Sequence, residues 1–381
     1  MTTGTYCLIR QDDLAVLIIL QDLDEKSIDI NCGDMIPFSI SFREDGSQFV
    51  GGGIYPNDFT GWLQQWLAKD GNEVPGSQVH LTARVYGVVA SKDSKWIVNV
   101  DGKSVEVRTA ATGTLVFKTG DHIHQVLAID VSNDSTQFAS GSEDKTVNIY
   151  NVTTRIRMLG PLQHDYPVVG VKFSPNGDYI ATAASGSDGE QYLGSLKVWN
   201  AKSGGKPVID IPVQWKNLLY PSTPLAWSSD GKNLFYIAAG KITCLTISTS
   251  KSFEWSVPTS LDPAACSLAT NGKFIACSAG GSISLWDPDS HTQLGSTITR
   301  DGIILSLALS PDNSHLACGT IYGAVHKIGL YILGDILPLE VLVDVNTFLS
   351  VPLTYSNACT ADMSPPVYGR ERSGVQAVDQ R

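Results

Sequence analysis

A chain of 381 residues, 43% of them hydrophobic and 17% charged, is long enough to bury a large core in one or two domains. The formal net charge of −11 and the scattered Lys and Arg residues disfavour a nucleic-acid-binding protein and one that docks on anionic membranes. Seven cysteines without a C-x-x-C pair favour reduced thiols in an apolar core over a disulfide framework or a zinc site.

The N-terminal region contains three strand-like segments, YCLIRQ, LAVLIIL and SIDINCG, within residues 5–34. LAVLIIL is apolar throughout, but its seven residues stand between acidic flanks and are too few to span a bilayer. The first residues also lack the basic region and small-residue cleavage site of a secretory signal peptide. These features predict a cytoplasmic protein.

A strand–turn–strand pattern recurs along residues 37–332. It is clear in SISFREDGSQFVGGG from Ser39, AIDVSNDSTQFASGS from Ala128 and GVKFSPNGDYIATAA from Gly170, each followed by a third strand. First strands begin near residues 37, 85, 127, 169, 223, 265 and 304, and the spacing from turn to turn is roughly 41–48 residues with one interval near 54. This is the period of a four-stranded propeller blade, and it predicts an all-β fold.

These repeats resemble the WD-repeat family. GDHIHQVLAIDVSND and LQHDYPVVGVKFSPNG place His122 and His164 at the family's spacing before the innermost strand of a blade. Third strands that end in tryptophan followed by an acid or amide complete the repeat signature, which comprises His164, Trp199, Asn200, Trp286 and Asp287. The resemblance implies an all-β, seven-bladed β-propeller over residues 37–345, built from four-stranded WD-type repeats.

The hairpin SGSEDKTVNIYN at 140–151 carries an aspartate in its turn. In WD repeats such an Asp bonds a His before the first strand, the His reaches a Ser or Thr on the second strand, and a Trp completes the set. The resemblance therefore implies a structural hydrogen-bond network of His122, Ser140, Asp144 and Tyr150, in which Tyr150 replaces the Trp. Asp, His and Ser are also the residues of a nucleophilic triad. A clamp inside a blade leaves the hydroxyl no substrate cleft, so we interpret the set as structural.

Three insertions lie in connections that a propeller places on one face, at residues 54–62, 187–194 and 213–222. They carry aromatic side chains of the kind found at interface hot spots. The candidate partner-binding residues are Tyr55, Phe59, Trp62, Tyr192, Trp215 and Tyr220. In the alternative interpretation, Trp215 and Tyr220 fold back and cap neighbouring blades.

The terminal regions are expected to close the propeller. We predict a partial blade or closing strands in residues 1–36, with SIDINCG as the outer strand of the seventh blade, although ILPLEVLVD (336–344) competes for that position. LAVLIIL is then surplus. Residues 346–381 form a C-terminal tail that is predicted to be disordered from about residue 357.

These patterns predict a non-catalytic protein-interaction scaffold without cofactor or metal, which binds other proteins or peptides and acts as a monomer within a complex. The seven histidines show no metal-ligand spacing. One alternative is an enzyme whose site lies in the central channel. Another is an interaction domain or fragment of a larger signalling protein, suggested by a start within repeat-like sequence.

Overall fold

The fold is built from β-strands joined by turns. The computed structural model describes residues 5–11, 14–20, 28–32, 35–187, 192–215, 224–258, 266–321 and 324–329. These residues fall within one compact unit, Met1–Leu333. The predicted tail at 346–381 and the competing closing segment at 336–344 lie outside the described residues. None of the described ranges holds a helix with the length and apolar character that crossing a membrane requires.

Thirty strands occur in the described ranges, and the first three precede the repeats. They are β1 (Thr5–Gln11), β2 (Leu14–Leu20) and β3 (Ile28–Asn31). β1 and β2 pair with each other as an antiparallel two-stranded sheet. LAVLIIL, predicted to be surplus to the propeller, is therefore the second strand of this small sheet.

The other strands form seven four-stranded antiparallel sheets, which we number I to VII. Sheet I contains β4 (Ile36–Phe42), β5 (Gln48–Ile54), β6 (Gly61–Leu67) and β7 (Val79–Leu81). Sheet II contains β8 (Val88–Ala90), β9 (Trp96–Asp101), β10 (Ser104–Thr109) and β11 (Leu115–Thr119). Sheet III contains β12 (Val126–Val131), β13 (Gln137–Ser142), β14 (Thr146–Asn151) and β15 (Arg157–Gln163).

Sheet IV contains β16 (Val168–Phe173), β17 (Tyr179–Ser187), β18 (Tyr192–Asn200) and β19 (Gly204–Pro212). Sheet V contains β20 (Leu225–Trp227), β21 (Asn233–Ala238), β22 (Lys241–Thr246) and β23 (Lys251–Ser256). Sheet VI contains β24 (Cys266–Thr270), β25 (Ile275–Ala279), β26 (Ser282–Trp286) and β27 (Gln293–Thr299). Sheet VII contains β28 (Ile304–Leu309), β29 (His315–Thr320), β30 (Ala324–Gly329) and, as its outer strand, β3.

The first strands of neighbouring sheets contact one another in a closed ring, since β28 of sheet VII contacts β4 of sheet I. Together they surround a central channel of about 390 Å³. The predicted all-β propeller of four-stranded sheets is confirmed. Apolar side chains fill the spaces between sheets; for example, Val147 and Ile149 of sheet III share a core cluster with Val168 and Ile180 of sheet IV.

Sheet VII joins strands from two distant parts of the chain. β3 pairs antiparallel with β30, with Ile30 opposite Val325. Both side chains are buried in one cluster with residues of sheet I. This pairing covers the outer edge of β30, which would otherwise expose unpaired backbone groups.

Candidate functional site

The antiparallel order of each sheet separates its connections onto two faces. Links between first and second strands and between third and fourth strands lie at one end, which we call the turn face. Links between second and third strands, and those from one sheet to the next, lie at the other end, which we call the loop face. Among described residues the loop face includes 55–60, 82–87, 120–125, 143–145 and 300–303.

At the loop-face end of sheet III, His122 joins two strands of the sheet. Its Nδ1 lies 2.9 Å from Asp144 Oδ2, and its Nε2 lies 2.8 Å from Ser140 Oγ. Asp144 also accepts bonds from the backbone N–H of Ile123 at 3.0 Å and from the Thr146 hydroxyl at 2.6 Å. The carboxylate therefore ties the incoming chain to the turn between β13 and β14.

The protonation pattern of this cluster follows from its charges. Burial opposes ionisation of Asp144, but hydrogen bonds from Thr146 and His122 outweigh it and lower the pKa of the carboxyl. An ionised carboxylate only accepts hydrogen bonds, so His122 Nδ1 carries the proton that it donates to Asp144. In a neutral imidazole Nε2 then accepts, and Ser140 donates its hydroxyl proton to it.

The three residues have the distances of a nucleophilic triad but not its surroundings. Ser140 is 0% exposed, and the ring of His122 is also buried. A substrate carbonyl must reach the hydroxyl oxygen, and here the packed interior of the sheet covers it. The geometry supports a structural clamp.

Tyr150 does not join this cluster, contrary to what the resemblance implied. Its hydroxyl donates instead to Asp121 Oδ2 at 2.9 Å, and its ring stacks on Phe138 at 5.0 Å between centroids. A phenol carries its polar atom at the far end of the ring, so it reaches past the cluster to the preceding connection. The sequence did not predict the contact of Asp121 with Tyr150, nor those of Ile123, Thr146 and Asn148 with the cluster, although each of these residues lies within two positions of a predicted one.

Sheet IV repeats part of the arrangement around its own histidine. His164 Nε2 lies 2.8 Å from Thr182 Oγ1, and the indole N–H of Trp199 donates to the same oxygen at 3.0 Å. His164 Nδ1 lies 3.1 Å from the Leu162 carbonyl oxygen, to which it donates. Burial lowers the pKa of His164 to about 4, so the imidazole is neutral at pH 7.

The remaining signature residues make hydrogen bonds within their own strand or in the turn that follows it. Trp286 donates its indole N–H to Ser284 Oγ at 2.8 Å, within one strand. Asn200 accepts bonds from the backbone N–H groups of Lys202 and Ser203, at 3.0 and 2.9 Å. Asp287 likewise accepts bonds from the backbone N–H groups of Asp289 and Ser290. These turn bonds explain the acid or amide after each tryptophan.

The central channel was the candidate location for an enzyme site. Of the described residues that line it, Asp130 is the one with a carboxylate, and Lys172 Nζ and the Phe173 backbone N–H both donate to it at 2.8 Å. Within the described ranges, no group of three or more His, Cys, Asp or Glu residues is arranged to hold a metal ion. The channel shows no pair of carboxylates for acid–base chemistry among these residues.

Among the described residues of the loop face, Phe59 is the aromatic residue that is exposed. It lies between β5 and β6 and is 57% exposed. Its backbone φ of 60° is left-handed, a conformation that costs a bulky residue roughly 1–2 kcal/mol. The turn is held by Asp58, which accepts from the backbone N–H and hydroxyl of Thr60 at 3.0 and 2.7 Å.

Two of the predicted partner-binding aromatics are core residues instead. Trp62 is 0% exposed on β6, where Gly51 of β5 leaves room for its ring and that of Trp66. Trp215 is 1% exposed, and its ring occupies the space above Gly194. A Cβ on Gly51 would lie 2.8 Å from the Trp66 ring and 3.5 Å from that of Trp62, and a Cβ on Gly194 would lie closer still to the Trp215 ring, so both glycines leave room for the packed indoles.

The other predicted insertions are only partly described. Residues 187–194 were predicted to form a loop, but β17 and β18 extend into them and pair Ser187 with Tyr192. The side chain of Tyr192 and all of Tyr220 lie outside what the structure describes. Tyr55 is half-buried, stacks on His80 at 5.5 Å and accepts a bond from Gln78 at 3.2 Å. The described part of the candidate face is thus centred on Tyr55 and Phe59.

Comparison with known proteins matches two of the sequence repeats to a family model. The family model described as "WD domain, G-beta repeat" matches residues 113–151 and 157–200. The chain is 25% identical over 274 residues to a guanine nucleotide-binding protein subunit beta-like protein of Encephalitozoon cuniculi (strain GB-M1), covering 65% of this chain and 78% of that protein.

Two other relatives match shorter segments. The small ribosomal subunit protein RACK1y of Oryza sativa subsp. japonica is 29% identical over 138 residues, covering 35% of this chain and 38% of that protein. The periodic tryptophan protein 2 homolog of Schizosaccharomyces pombe (strain 972 / ATCC 24843) is 24% identical over 160 residues, covering 38% of this chain and 18% of that protein. The chain thus spans less than two thirds of the length of both relatives.

Proposed function

Because the chain belongs to the WD-repeat family, we propose that it is a non-catalytic scaffold that docks other proteins on its loop face. The observation that carries this proposal is Phe59. A bulky aromatic residue stands 57% exposed in a left-handed backbone conformation that glycine or asparagine would adopt more readily. Strain of this kind is characteristic of functional positions.

The two sites considered for catalysis, the cluster in sheet III and the central channel, support binding over catalysis. The Asp144, His122 and Ser140 set is closed to substrate, and the one described carboxylate in the channel is held by Lys172 and a backbone N–H. The rice relative is named as a protein of the small ribosomal subunit, and the Encephalitozoon relative is named as similar to the beta subunit of a guanine nucleotide-binding protein. A scaffold role within a complex is the analogous proposal for this chain.

The finer features of the prediction belong to the same proposal. We count each four-stranded sheet as one blade, which makes the functional unit a seven-bladed propeller. A cytoplasmic location, a monomeric state within a complex and the absence of nucleic-acid or membrane partners stay predictions from composition and charge.

Site-specific photo-crosslinking tests the location of docking. p-Benzoylphenylalanine replaces Phe59 in one bait and Phe253 in a matched bait, because Phe253 is 56% exposed but lies on the outer strand of sheet V. We expect lysate proteins to crosslink from position 59 and not from position 253. Crosslinks from position 253 alone would contradict docking on the loop face, and crosslinks from neither position would contradict the scaffold proposal at that face.

A further inference from the structure

We propose that the loop face binds a peptide segment in which an apolar side chain adjoins a carboxylate, and that Arg84 holds the carboxylate. This inference rests on the proposed docking function and names the chemistry of the partner. It starts from Arg84, which lies in the connection between sheets I and II.

The guanidinium of Arg84 is held in a fixed orientation by two aromatic residues. Its central carbon lies 4.8 Å from the centroid of the Phe59 ring. Its Nη1 donates to the Tyr86 hydroxyl oxygen at 3.1 Å. A stacked guanidinium that is anchored at one nitrogen loses little further freedom when it binds a planar carboxylate through its other N–H groups.

Arg84 lacks an acidic partner among the described residues. None of the ion pairs within the described ranges includes it, although the chain has 38 acidic residues for 27 basic ones. The carboxylate of Asp58 in the neighbouring loop is engaged by Thr60 instead. A half-buried cation in an acidic protein therefore faces the surface without a counter-charge from the described residues.

Tyr86 supplies a second donor next to the guanidinium. Its oxygen accepts from Arg84, and none of the hydrogen bonds among the described residues uses its own O–H as the donor. The ring is fixed by stacking on Phe38 with centroids 5.5 Å apart. The two side chains can therefore donate to the two oxygens of one carboxylate.

An apolar surface adjoins these donors. Ile36, Ile303 and Ile321 are half-buried and pack with Tyr86 around the buried Phe38, Ile54 and Leu305. Ile36 and Ile303 lie where the chain enters the first strands of sheets I and VII, which is the loop-face end of the channel. An aliphatic side chain of a partner would bury area here while a neighbouring carboxylate reaches Arg84.

Blocked peptide pools test this chemistry directly. Biotinylated pools carry a fixed Leu-Asp, Leu-Asn or Gly-Asp pair among randomised neutral positions, with both termini blocked so that the Asp side chain is the sole carboxylate. Binding is measured for the full chain and for the variants Arg84→Met, Arg84→Lys and Lys232→Met. Lys232 is the matched control because it lies in a turn-face connection, and because Lys232→Met removes one positive charge, as Arg84→Met does.

We expect the unaltered chain and Lys232→Met to bind the Leu-Asp pool about tenfold more tightly than the Leu-Asn pool, the size expected for a lost charge-assisted contact. Arg84→Met should abolish the preference, and Arg84→Lys should retain only part of it because ammonium cannot bind the carboxylate as a fork. A thermal melt of each variant separates lost binding from lost folding, and Arg84→Lys provides a second reading if Arg84→Met is unstable.

Three results would overturn the inference. They are equal binding of the Leu-Asp and Leu-Asn pools, binding of none of the pools, and a dimer of the unaltered chain that Arg84→Met dissolves, which would assign the surface to a second copy. Crosslinking from position 59 reports on the docking function separately. Crosslinks without carboxylate preference would therefore reject this inference and leave the scaffold proposal standing.

Discussion

Asp130 on the first strand of sheet III accepts a hydrogen bond of 2.8 Å from Lys172 Nζ on the first strand of sheet IV. Its other oxygen accepts from the buried backbone N–H of Phe173, also at 2.8 Å. One carboxylate thus fastens two neighbouring sheets at the wall of the channel. The bond to Phe173 matters most, because a buried N–H without an acceptor is costly.

Replacing Asp130 is therefore expected to weaken the junction between sheets III and IV. Asp130→Ala should lower the free energy of unfolding by about 2–3 kcal/mol, since it leaves the Phe173 N–H without its acceptor. Asp130→Asn keeps an acceptor oxygen and should cost about half as much. Urea unfolding of both variants measures the difference, and equal losses would argue against the role of the Phe173 bond.

The clamp around Asp144 makes a second prediction within one sheet. Asp144→Ala removes an acceptor that serves His122, Ile123 and Thr146 in a largely buried position, so we expect a loss of about 3 kcal/mol. Asp134→Ala is the matched control, because Asp134 accepts similar turn bonds but is exposed, and should cost about 1 kcal/mol. Comparable losses from both would mean that the His122 contact adds little.

His164 predicts how stability depends on pH. Burial lowers the pKa of His164 to about 4 from its ordinary value of 6.5, so the unfolded chain binds a proton at a higher pH than the folded protein does. The stabilisation is complete above pH 6.5 and is lost as pH falls towards 4, with a total of about 3 kcal/mol.

His164→Gln tests this assignment because glutamine does not titrate. Between pH 4.5 and 7, the free energy of unfolding of the unaltered chain should rise more steeply with pH than that of the variant. The difference between the two slopes should correspond to at most one bound proton. Urea titrations at several pH values give both curves. Parallel curves would show that His164 is not the titrating group.

Substitution of Trp215 should reduce stability, whereas substitution of Phe59 should reduce partner binding. Trp215→Ala empties the space beside Gly194 and Tyr236, and we expect it to lower the free energy of unfolding by about 3–5 kcal/mol. Phe59→Gly relieves a left-handed φ and removes a mostly exposed ring, so stability should stay within about 1 kcal/mol of the unaltered chain. Partner binding should be lost in Phe59→Gly; a stable variant with full binding would contradict the assignment of Phe59.

The buried thiols predict low chemical reactivity. Burial raises the pKa of Cys32 to about 12 and also raises the pKa of Cys244, while Cys277 and Cys318 are 0% exposed. Iodoacetamide at pH 8 should therefore label these four cysteines far more slowly in the native protein than in urea. Peptide mass mapping measures each site, and rapid native labelling of Cys32 would contradict its buried environment.

The sequence by itself determined the repeat and its strands, and the resemblance to WD repeats implied the clamp of sheet III. Alternation of polar and apolar residues, with Asp or Asn turns between runs, specifies antiparallel hairpins through local contacts alone. The resemblance to WD repeats implied that His122, Ser140 and Asp144 meet at one end of a sheet, and the structure has Ser140 and Asp144 each within 3 Å of His122.

Only the tertiary structure decided which aromatic residues face solvent and which contacts join the sheets. In a propeller both faces of a sheet are covered by neighbouring sheets, so alternation does not distinguish a buried ring from an exposed one. Trp62 and Trp215 are buried, with Gly51 and Gly194 leaving room beside their rings, whereas the loop before β6 presents Phe59 to solvent. The stacking of Arg84 on Phe59 joins the connection between sheets I and II to the loop between β5 and β6, and such a contact depends on how the chain packs rather than on local sequence.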